Sequence, residues 1–427
     1  MTDQNTYLTR HMIPELRDAL ANSRVVNLIG PRQVGKTTLV RDLFGVGKFI
    51  TLDDAATLSA INADPAGQLA NLVADLGDTP LIIDEAQRSI DLSLAIKRVV
   101  DTDRRKGQFV LTGSSNVFTT ANVADSLAGR MRTLKLWPLT AAECMRQPVS
   151  PLIDWALQKT PDLTQISALP MTRNEYIDLM LRGGYPEVRN LKLRPRQRQY
   201  RDYVDSVVDR DVADILRIRK TDALRRLIDQ MAARTGQELN IAELCKLLQI
   251  RRETVEQYLD VLLRLSMLVK LGAWTSGEGK REIKNAKYHF VDSGIVCALR
   301  RFRDNAFDIG SHPEALGSIL ESYVFNELLR SAPLQEEDVR FYHWRSPDKR
   351  EIDILIDAGD ALVGVEVKAA ATVAADDFRH LKWFASDGPG HTRKFTGIVF
   401  YLGEQRLSFG SNCFALPVST LWGDVRF

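Results

Sequence analysis

A glycine-rich loop between an apolar run and a helical segment constrains the fold of this chain more than any other feature. Residues 30–37 fit the phosphate-loop pattern G-x-x-x-x-G-K-[ST] at every position. The apolar run 25–29 precedes the loop and a helical segment, 36–43, follows it. This context is required because backbone N–H groups and the positive end of the helix dipole must face the phosphates. The residues predicted to bind the nucleotide are Gly30, Pro31, Arg32, Gln33, Val34, Gly35, Lys36, Thr37 and Thr38.

A second motif, which is acidic, supports the interpretation of residues 30–37 as a phosphate loop. Lys36 would neutralise the β- and γ-phosphates of ATP, and the Thr37 hydroxyl would ligate Mg²⁺. Farther along, the apolar run 81–83 ends in Asp84 and Glu85. Asp84 is predicted to bind Mg²⁺ through its water shell, and Glu85 to orient and polarise the attacking water. A solvated acidic strand end is the alternative interpretation.

Further polar residues are candidates for acting on the γ-phosphate. Thr112 ends the run 109–112 and Ser114 follows it, and both could sense this phosphate, although an ordinary turn rich in Ser and Asn has the same composition. Arg130 is a candidate arginine finger that would reach the nucleotide of a neighbouring subunit. A surface salt bridge is the alternative for Arg130, and Arg132 competes for the role.

The first 142 residues alternate short apolar runs with helical segments. Such alternation predicts a parallel sheet covered on both faces. Trp137-Pro138, with Pro148 and Pro151 soon after, marks a domain edge. Residues 1–142 are therefore predicted to form an α/β P-loop domain.

Several motifs together resemble one protein family. Those of the first domain are Tyr7-Leu-Thr-Arg10, the phosphate loop 30–38, Leu81-Ile-Ile-Asp-Glu85, Leu111-Thr-Gly-Ser114 and Leu127-Ala-Gly-Arg130. They resemble a prokaryotic AAA-type ATPase family whose C-terminal domain has no assigned function. Arg182-Gly-Gly-Tyr-Pro186, Phe290-Val-Asp292 and Glu366-Val-Lys368 are similar to that C-terminal region. The resemblance implies ATP binding and, because AAA-type modules usually assemble as rings, a homo-oligomer.

The middle of the chain is predicted to be helical and then to form a winged helix. Residues 143–221 read as a helical connecting region, with a basic segment, 189–201, that contains no acid. Residues 222–292 predict three helices, at 224–234, 240–248 and 253–265, followed by a two-stranded ribbon, which together make a winged helix-turn-helix.

In such a domain the third helix can enter the DNA major groove while the ribbon touches the backbone. The predicted phosphate contacts are Arg251 and Arg252 at the start of that helix and Lys280, Arg281, Lys284 and Lys287 on the ribbon. A winged helix used only for protein packing is the alternative, because fold alone does not establish function.

Residues 293–427 carry a second set of carboxylates. Glu321 lies in a predicted helix, 314–329, and Asp353 and Glu366 lie in predicted strands. Period-two geometry places Glu366 and Lys368 on one strand face. Two carboxylates can hold Mg²⁺ and a lysine can help activate water. The pattern resembles the Asp…Glu-x-Lys signature of the restriction-endonuclease-like α/β fold, and a buried ion pair is the alternative.

Composition narrows the remaining choices. No apolar run approaches the roughly 18 residues that span a bilayer, so no membrane association is expected. The four cysteines lack paired metal-binding spacing, which favours a reducing cytoplasm. The formal net charge is only +2, so DNA binding must come from local basic patches.

Three functions are compatible with these features. The leading hypothesis is an ATP-hydrolysing, Mg²⁺-dependent DNA-binding protein that remodels duplexes or junctions, branch migration included. The second is an ATP-controlled, Mg²⁺-dependent DNA nuclease. The third is a nucleotide switch that binds protein partners.

Overall fold

The computed structural model describes residues 7–43, 45, 47–74, 76–89, 91–113, 127–212, 221–275, 285–303, 307, 313–410 and 412–426. The chain forms two compact units. The first is Met1–Pro138 with Arg264–Ser266, and the second is Leu139–Leu263 with Met267–Phe427. The main division at Pro138 lies at the proline-containing edge that the sequence indicated.

The first unit contains a five-stranded parallel sheet in the order β2-β3-β4-β1-β5. Its strands are β1 Val25–Ile29, β2 Lys48–Thr51, β3 Leu81–Asp84, β4 Phe109–Gly113 and β5 Met131–Lys135. Its helices are α1 Ile13–Asn22, α2 Lys36–Thr38, α3 Ala55–Ala63, α4 Pro65–Ala74 and α5 Leu92–Thr102. α2 continues into a π-helical segment, Leu39–Leu43.

Burial explains why these short runs form a parallel sheet. Every residue of β1, β3 and β4 is buried, as expected for strands covered on both faces. Ile61, Leu69 and Ile96 from α3, α4 and α5 share a core cluster with Ile83 and Leu111 of the sheet. The predicted parallel sheet is confirmed. Its strands are parallel, so the loop that follows β1, Asp84 at the end of β3 and Thr112 near the end of β4 meet at one edge of the sheet.

The second unit contains an eight-stranded mixed sheet in the order β12-β13-β11-β10-β9-β8-β6-β7. Its strands are β6 Leu268–Ala273, β7 Lys287–Phe290, β8 Arg340–Arg345, β9 Glu351–Asp357, β10 Ala361–Lys368, β11 Lys394–Tyr401, β12 Leu407–Ser408 and β13 Cys413–Pro417. Its helices are α6 Ala141–Cys144, α7 Leu152–Ala156, α8 Arg173–Arg182, α9 Leu193–Ser206, α10 Asp222–Ala233, α11 Ile241–Leu248, α12 Arg252–Arg264, α13 Ser293–Leu299, α14 Pro313–Ser331 and α15 Arg379–Ser386.

The three helices expected for a winged helix are present as α10, α11 and α12, but the ribbon differs from a free wing. β6 pairs antiparallel with β7 and parallel with β8, through Gly272 opposite Tyr342 and Ala273 opposite His343. Pairing with β8 satisfies the backbone groups on the second edge of β6. Separating 222–292 from 293–427 is therefore wrong, because one sheet crosses that boundary.

Two motifs that carried the family resemblance meet at a buried point in this unit. Asp292 caps α13, accepting hydrogen bonds from the backbone N–H of Gly294 (2.9 Å) and Ile295 (3.3 Å). Its second oxygen accepts from the N–H of Gly184 at 2.7 Å. Gly183 has a φ of 65°, and a Cβ there would lie 2.2 Å from the Asp292 carboxylate. The motifs thus join two segments of the backbone.

Two composition-based expectations can be compared with the structure. None of the helices in the described ranges has both the length and the apolar character needed to cross a membrane. All four cysteines are free thiols, and Cys297 and Cys413 are buried.

Candidate functional site: a phosphate loop and a strand-end carboxylate

The phosphate loop connects β1 to α2. Gly35 stands directly before α2 with a φ of 91°, in the left-handed region that favours glycine. Gly30 has a φ of 151°, and a Cβ at this position would lie 2.0 Å from the carbonyl oxygen of Leu136. Both glycines of the pattern are thus required by backbone geometry.

Two cationic side chains hold the loop. Lys36 is buried, and its Nζ donates to the carbonyl oxygens of Gly30 (2.9 Å) and Pro31 (2.7 Å). Buried Arg10 donates to the carbonyl of Val34 at 2.8 Å and, through its other terminal nitrogen, to that of Trp137 at 2.7 Å. Arg10 was not predicted as a site residue. The only sequence signal for it is its place in the motif Tyr7-Leu-Thr-Arg10.

The Asp84 carboxylate links the loop to the sheet edge. It accepts hydrogen bonds from the Thr37 hydroxyl, with oxygen–oxygen distances of 3.0 and 3.1 Å. It also accepts one from the hydroxyl of Thr112, which is fully buried on the adjacent strand β4. The structure therefore brings Thr37, Asp84 and Thr112 together. Ser114, the other candidate phosphate sensor, lies outside the described residues.

Glu85 has an unusual backbone conformation for a residue with a side chain. Its φ of 53° and ψ of 39° are left-handed, which costs a non-glycine residue about 1 kcal/mol. Burial raises the pKa of its carboxyl group, and hydrogen bonding from Gln87 and attraction to Lys36 partly offset that rise. A carboxylate whose pKa moves toward neutrality is better suited to accept a proton.

The donor atoms at this edge fit a Mg²⁺–nucleotide complex. A hydroxyl and a carboxylate, the oxygen ligands that Mg²⁺ prefers, lie side by side in Thr37 and Asp84. Lys36 supplies a positive charge at the start of α2, where backbone N–H groups also point outward from the helix. The residues expected to bind the metal and those expected to bind the phosphates thus lie at the same edge of the sheet.

Arg130 and Arg132 form ion pairs within their own unit. Arg130 pairs with Asp101, with 3.1 Å between its Nη2 and the carboxylate. Arg132 pairs with Asp18 at 2.6 Å and Glu15 at 3.2 Å. The role of Arg130 in a neighbouring subunit stays a prediction.

In the second unit, all four residues of the expected nuclease site come together. The Lys368 ammonium lies 3.2 Å from the Glu366 carboxylate on the same face of β10. Asp353 on β9 accepts a hydrogen bond from the N–H of Val367 at 3.0 Å. Glu321 of α14 is linked to Asp353 by a cation that both carboxylates contact.

That shared cation is Lys287, and its position corrects a prediction. Lys287 was expected to contact DNA phosphates from the ribbon, but its side chain is only 2% exposed. Its Nζ lies 2.9 Å from Glu321, 2.8 Å from Glu351 and 3.5 Å from Asp353. The prediction was wrong because the first residue of β7 faces the interior of the unit. Glu351 was not predicted at all.

The other predicted DNA contacts are exposed or undescribed. Arg251 and Arg252 are exposed at the start of α12, and Arg252 forms an ion pair with Glu256 at 2.8 Å. Lys280, Arg281 and Lys284 lie outside the described residues. The winged-helix interface with DNA stays a prediction.

Comparison with known families assigns most of the chain. Residues 22–145 match a family model described as an AAA domain. Residues 173–306 match a domain of unknown function (DUF8612), and residues 316–421 match another (DUF4143). The first match agrees with the AAA-type fold of the unit that holds the phosphate loop.

Uncharacterized proteins of Mycobacterium tuberculosis and Mycobacterium bovis are similar over nearly the whole chain. Each is 30% identical over 370 residues, which is 85% of this chain and 74% of the relative. This chain belongs to their family. An uncharacterized protein of Haemophilus influenzae is 27% identical over 282 residues, covering 64% of this chain and 62% of that relative. Within the family, the AAA domain holds the phosphate loop, and the remaining matched regions have no assigned function.

Solved structures give more distant similarities. The Thermotoga maritima RuvB Holliday junction branch migration motor is 19% identical, covers 63% of this chain and 92% of its own, and has a TM-score of 0.28. The Aeropyrum pernix ORC1 protein, solved in complex with DNA, is 15% identical, covers 70% and 95%, and has a TM-score of 0.25.

Proposed function

We propose that this protein binds ATP with Mg²⁺ and hydrolyses it at the edge formed by the phosphate loop, β3 and β4. The observation that carries the proposal is the contact between the Thr37 hydroxyl and the Asp84 carboxylate, 3.0 Å apart. A loop hydroxyl and a strand-end carboxylate are the two protein groups that hold Mg²⁺ in P-loop enzymes. In the sequence, Lys36 immediately precedes Thr37 and Glu85 immediately follows Asp84.

Each residue has a separate task in the proposed reaction. Lys36 would place its ammonium group against the β- and γ-phosphates in exchange for its contacts with Gly30 and Pro31. Thr37 and Asp84 would hold the metal, which supplies charge neutralisation when bound. The Thr112 hydroxyl would keep the Asp84 carboxylate oriented. Glu85 would orient water and accept its proton.

Substitution of the loop lysine and the strand-end glutamate tests this assignment. Lys36→Ala should abolish ATP binding, because it removes the charge that neutralises the phosphates. Glu85→Gln should still bind ATP but hydrolyse it roughly 10²-fold or more slowly, the usual effect of losing a general base. Binding is measured by calorimetry and hydrolysis by phosphate release. Wild-type hydrolysis by Glu85→Gln would remove this residue from the mechanism.

Asp53→Asn is the matched control for Glu85→Gln. Asp53 also follows a strand of the same sheet, but it is exposed and pairs with Arg88 at 2.6 Å. Its substitution makes the same change from carboxylate to amide outside the proposed metal site. The Asp53 charge contributes only a small part of the raised Glu85 pKa, so Asp53→Asn should change the hydrolysis rate far less than Glu85→Gln. This comparison separates the loss of a base from a general change in surface charge.

We also propose that hydrolysis is coupled to DNA binding, and a basic recess in the second unit supports this. Arg194 and Arg201 of α9 line it together with Arg301 and Arg303, which follow α13. The recess has a volume of about 410 Å³, and no carboxylate is among its described lining residues. Converging arginines favour a phosphate backbone, whose binding releases counterions.

Charge reversal in the recess tests the DNA surface. Arg194→Glu/Arg303→Glu should weaken binding to unrelated DNA sequences alike and lower the slope of log affinity against log salt by about two units. The matched control is Arg340→Glu/Arg379→Glu, which makes the same charge change on exposed residues of the same unit. An unchanged salt slope would reject the recess. A loss confined to Arg251→Glu/Arg252→Glu would favour the start of α12 instead.

DNA remodelling, assembly into an oligomer and a nucleotide switch each predict a different experimental result. Remodelling of duplexes or junctions, including branch migration, requires DNA-stimulated ATPase activity and strand displacement. Mixing Arg130→Ala with Lys36→Ala subunits tests a homo-oligomer in which Arg130 acts on a neighbour, because activity should then depend on subunit composition. A nucleotide switch would bind ATP but no DNA at low salt. The free thiols support a cytoplasmic location.

A further inference from the structure

A buried lysine lies among the carboxylates of the second unit, and this arrangement goes beyond the proposed ATPase. The acidic cluster consists of Glu321, Glu351, Asp353 and Glu366. Lys287 enters it from β7, Glu321 comes from α14, and the others come from β9 and β10. The Nζ of Lys287 lies within 3.5 Å of oxygens from three of these carboxyl groups, those of Glu321, Glu351 and Asp353.

Lys287 is stably charged in this position. Burial alone would lower the pKa of a lysine, but attraction to Glu321, Asp353 and Glu351 outweighs it and raises the pKa of Lys287 well above its usual value. Burial opposes ionisation of Glu351, but Lys287 nevertheless lowers the pKa of this carboxyl group. The ammonium group and its acidic neighbours thus stabilise each other's charged forms.

The cluster already contains two cations. The ammonium group of Lys287 lies 2.8 Å from the Glu351 carboxylate, and that of Lys368 lies 3.2 Å from the Glu366 carboxylate. A divalent metal ion would place two further positive charges beside these ammonium groups.

Space also argues against a metal. Mg²⁺ requires oxygen ligands at 2.0–2.1 Å in near-octahedral geometry. The Nζ of Lys287 already lies 2.9 Å from Glu321 and 3.5 Å from Asp353, two of the carboxyl groups that would hold such an ion. Among the described residues, no group of three or more acidic, histidine or cysteine side chains is arranged to hold a metal. The residues present therefore do not fit the metal of the predicted nuclease site.

We propose that Lys287 is the permanent cation of the acidic cluster, and that it excludes divalent metal from this domain. The cluster then stabilises the junction of α14, β7, β9 and β10 instead of cleaving DNA. The Asp…Glu-x-Lys pattern is kept in the sequence, but the metal-binding position is filled by an amine from the same chain.

Manganese binding to the full-length chain tests this proposal. The probe is Mn²⁺ alone, followed by electron paramagnetic resonance without nucleotide, and every protein carries Asp84→Asn to weaken metal binding at the phosphate loop. With Lys287 present, no saturable binding site is expected in the second unit. Lys287→Ala should bind Mn²⁺ at least ten-fold more tightly, and adding Asp353→Asn should abolish the gain.

Two results would overturn the proposal. One is Mn²⁺ binding by the protein with Lys287 intact that is as tight as in Lys287→Ala and is lost on Asp353→Asn. The other is a folded Lys287→Ala, with a wild-type circular dichroism spectrum, that gains no Mn²⁺ binding. If Lys287→Ala does not fold, Lys287→Gln removes the charge while retaining a polar side chain, and the same gain and the same loss are required of it. The titration of the protein with Lys287 intact is decisive in either case.

Discussion

Asp292 offers a quantitative test of what the family motifs do in the second unit. Its two carboxylate oxygens accept three backbone hydrogen bonds, two that cap α13 and one from Gly184. Asn keeps one acceptor oxygen and turns an amide N–H₂ toward an N–H donor, so one buried interaction is lost. A buried, unsatisfied donor costs about 1–3 kcal/mol, which sets the expected loss for Asp292→Asn. Asp292→Ala also removes the cap, which adds about 1 kcal/mol.

Urea denaturation followed by tryptophan fluorescence measures this loss. Five of the six tryptophans lie in the second unit, so the signal reports mainly on the part of the chain that contains Asp292. Asp162→Asn is the matched control, because Asp162 also caps a short helix but is exposed there, and its midpoint should stay near that of the wild type. If Asp292→Asn and Asp162→Asn unfold at the wild-type midpoint, the Asp292 carboxylate does not hold the two motifs together.

Three further predictions concern other parts of the chain. Gly30→Ala should prevent ATP binding in a calorimetric titration, because its Cβ would lie 2.0 Å from the Leu136 carbonyl oxygen. Arg10→Ala should lower ATP affinity without changing the residues that contact phosphate, because it frees the Val34 carbonyl of the loop. Arg17→Ala, at an exposed position of α1, is its control. Burial raises the pKa of Glu327 to about 7. Attraction to Arg330 opposes this rise, whereas repulsion from Glu143 and Asp292 adds to it. The folded chain therefore binds a proton that the unfolded chain releases. The free energy of unfolding should therefore decrease as the pH rises from about 4.5 to 7, by at most about 1.4 kcal/mol per pH unit. Glu327→Gln should lack this pH dependence in urea denaturation at several pH values.

The ATPase unit could be predicted from sequence because its information is local. The loop, the following helix and the Asp84–Glu85 strand end are each determined by a few neighbouring residues, and parallel pairing then brings the strand ends together. The role of Arg10 could not be predicted this way. Its guanidinium reaches a carbonyl 127 residues away in the sequence, and no local pattern encodes that contact.

The second unit was predicted well for its elements and less well for their assembly. The helices near residues 222–264 and the strands near 351–368 lie close to where periodicity placed them. Periodicity does not determine which strands become neighbours, so the pairing of β6 with β8 was missed and the ribbon was treated as free.

The contrast between Lys287 and the arginines of the recess shows what decides the role of a cation. In β7, Lys287 and His289 share one strand face, and both reach α14, where Lys287 contacts Glu321 and the His289 ring hydrogen-bonds Ser322 at 3.0 Å. The residues between and beyond them, Tyr288 and Phe290, are apolar and buried. A lysine that opens a strand buried on both faces must find acids inside the protein, because an unpaired buried charge is too costly. An exposed cation such as Arg194 is solvated by water and does not need a buried acid, so it can act on ligands from outside.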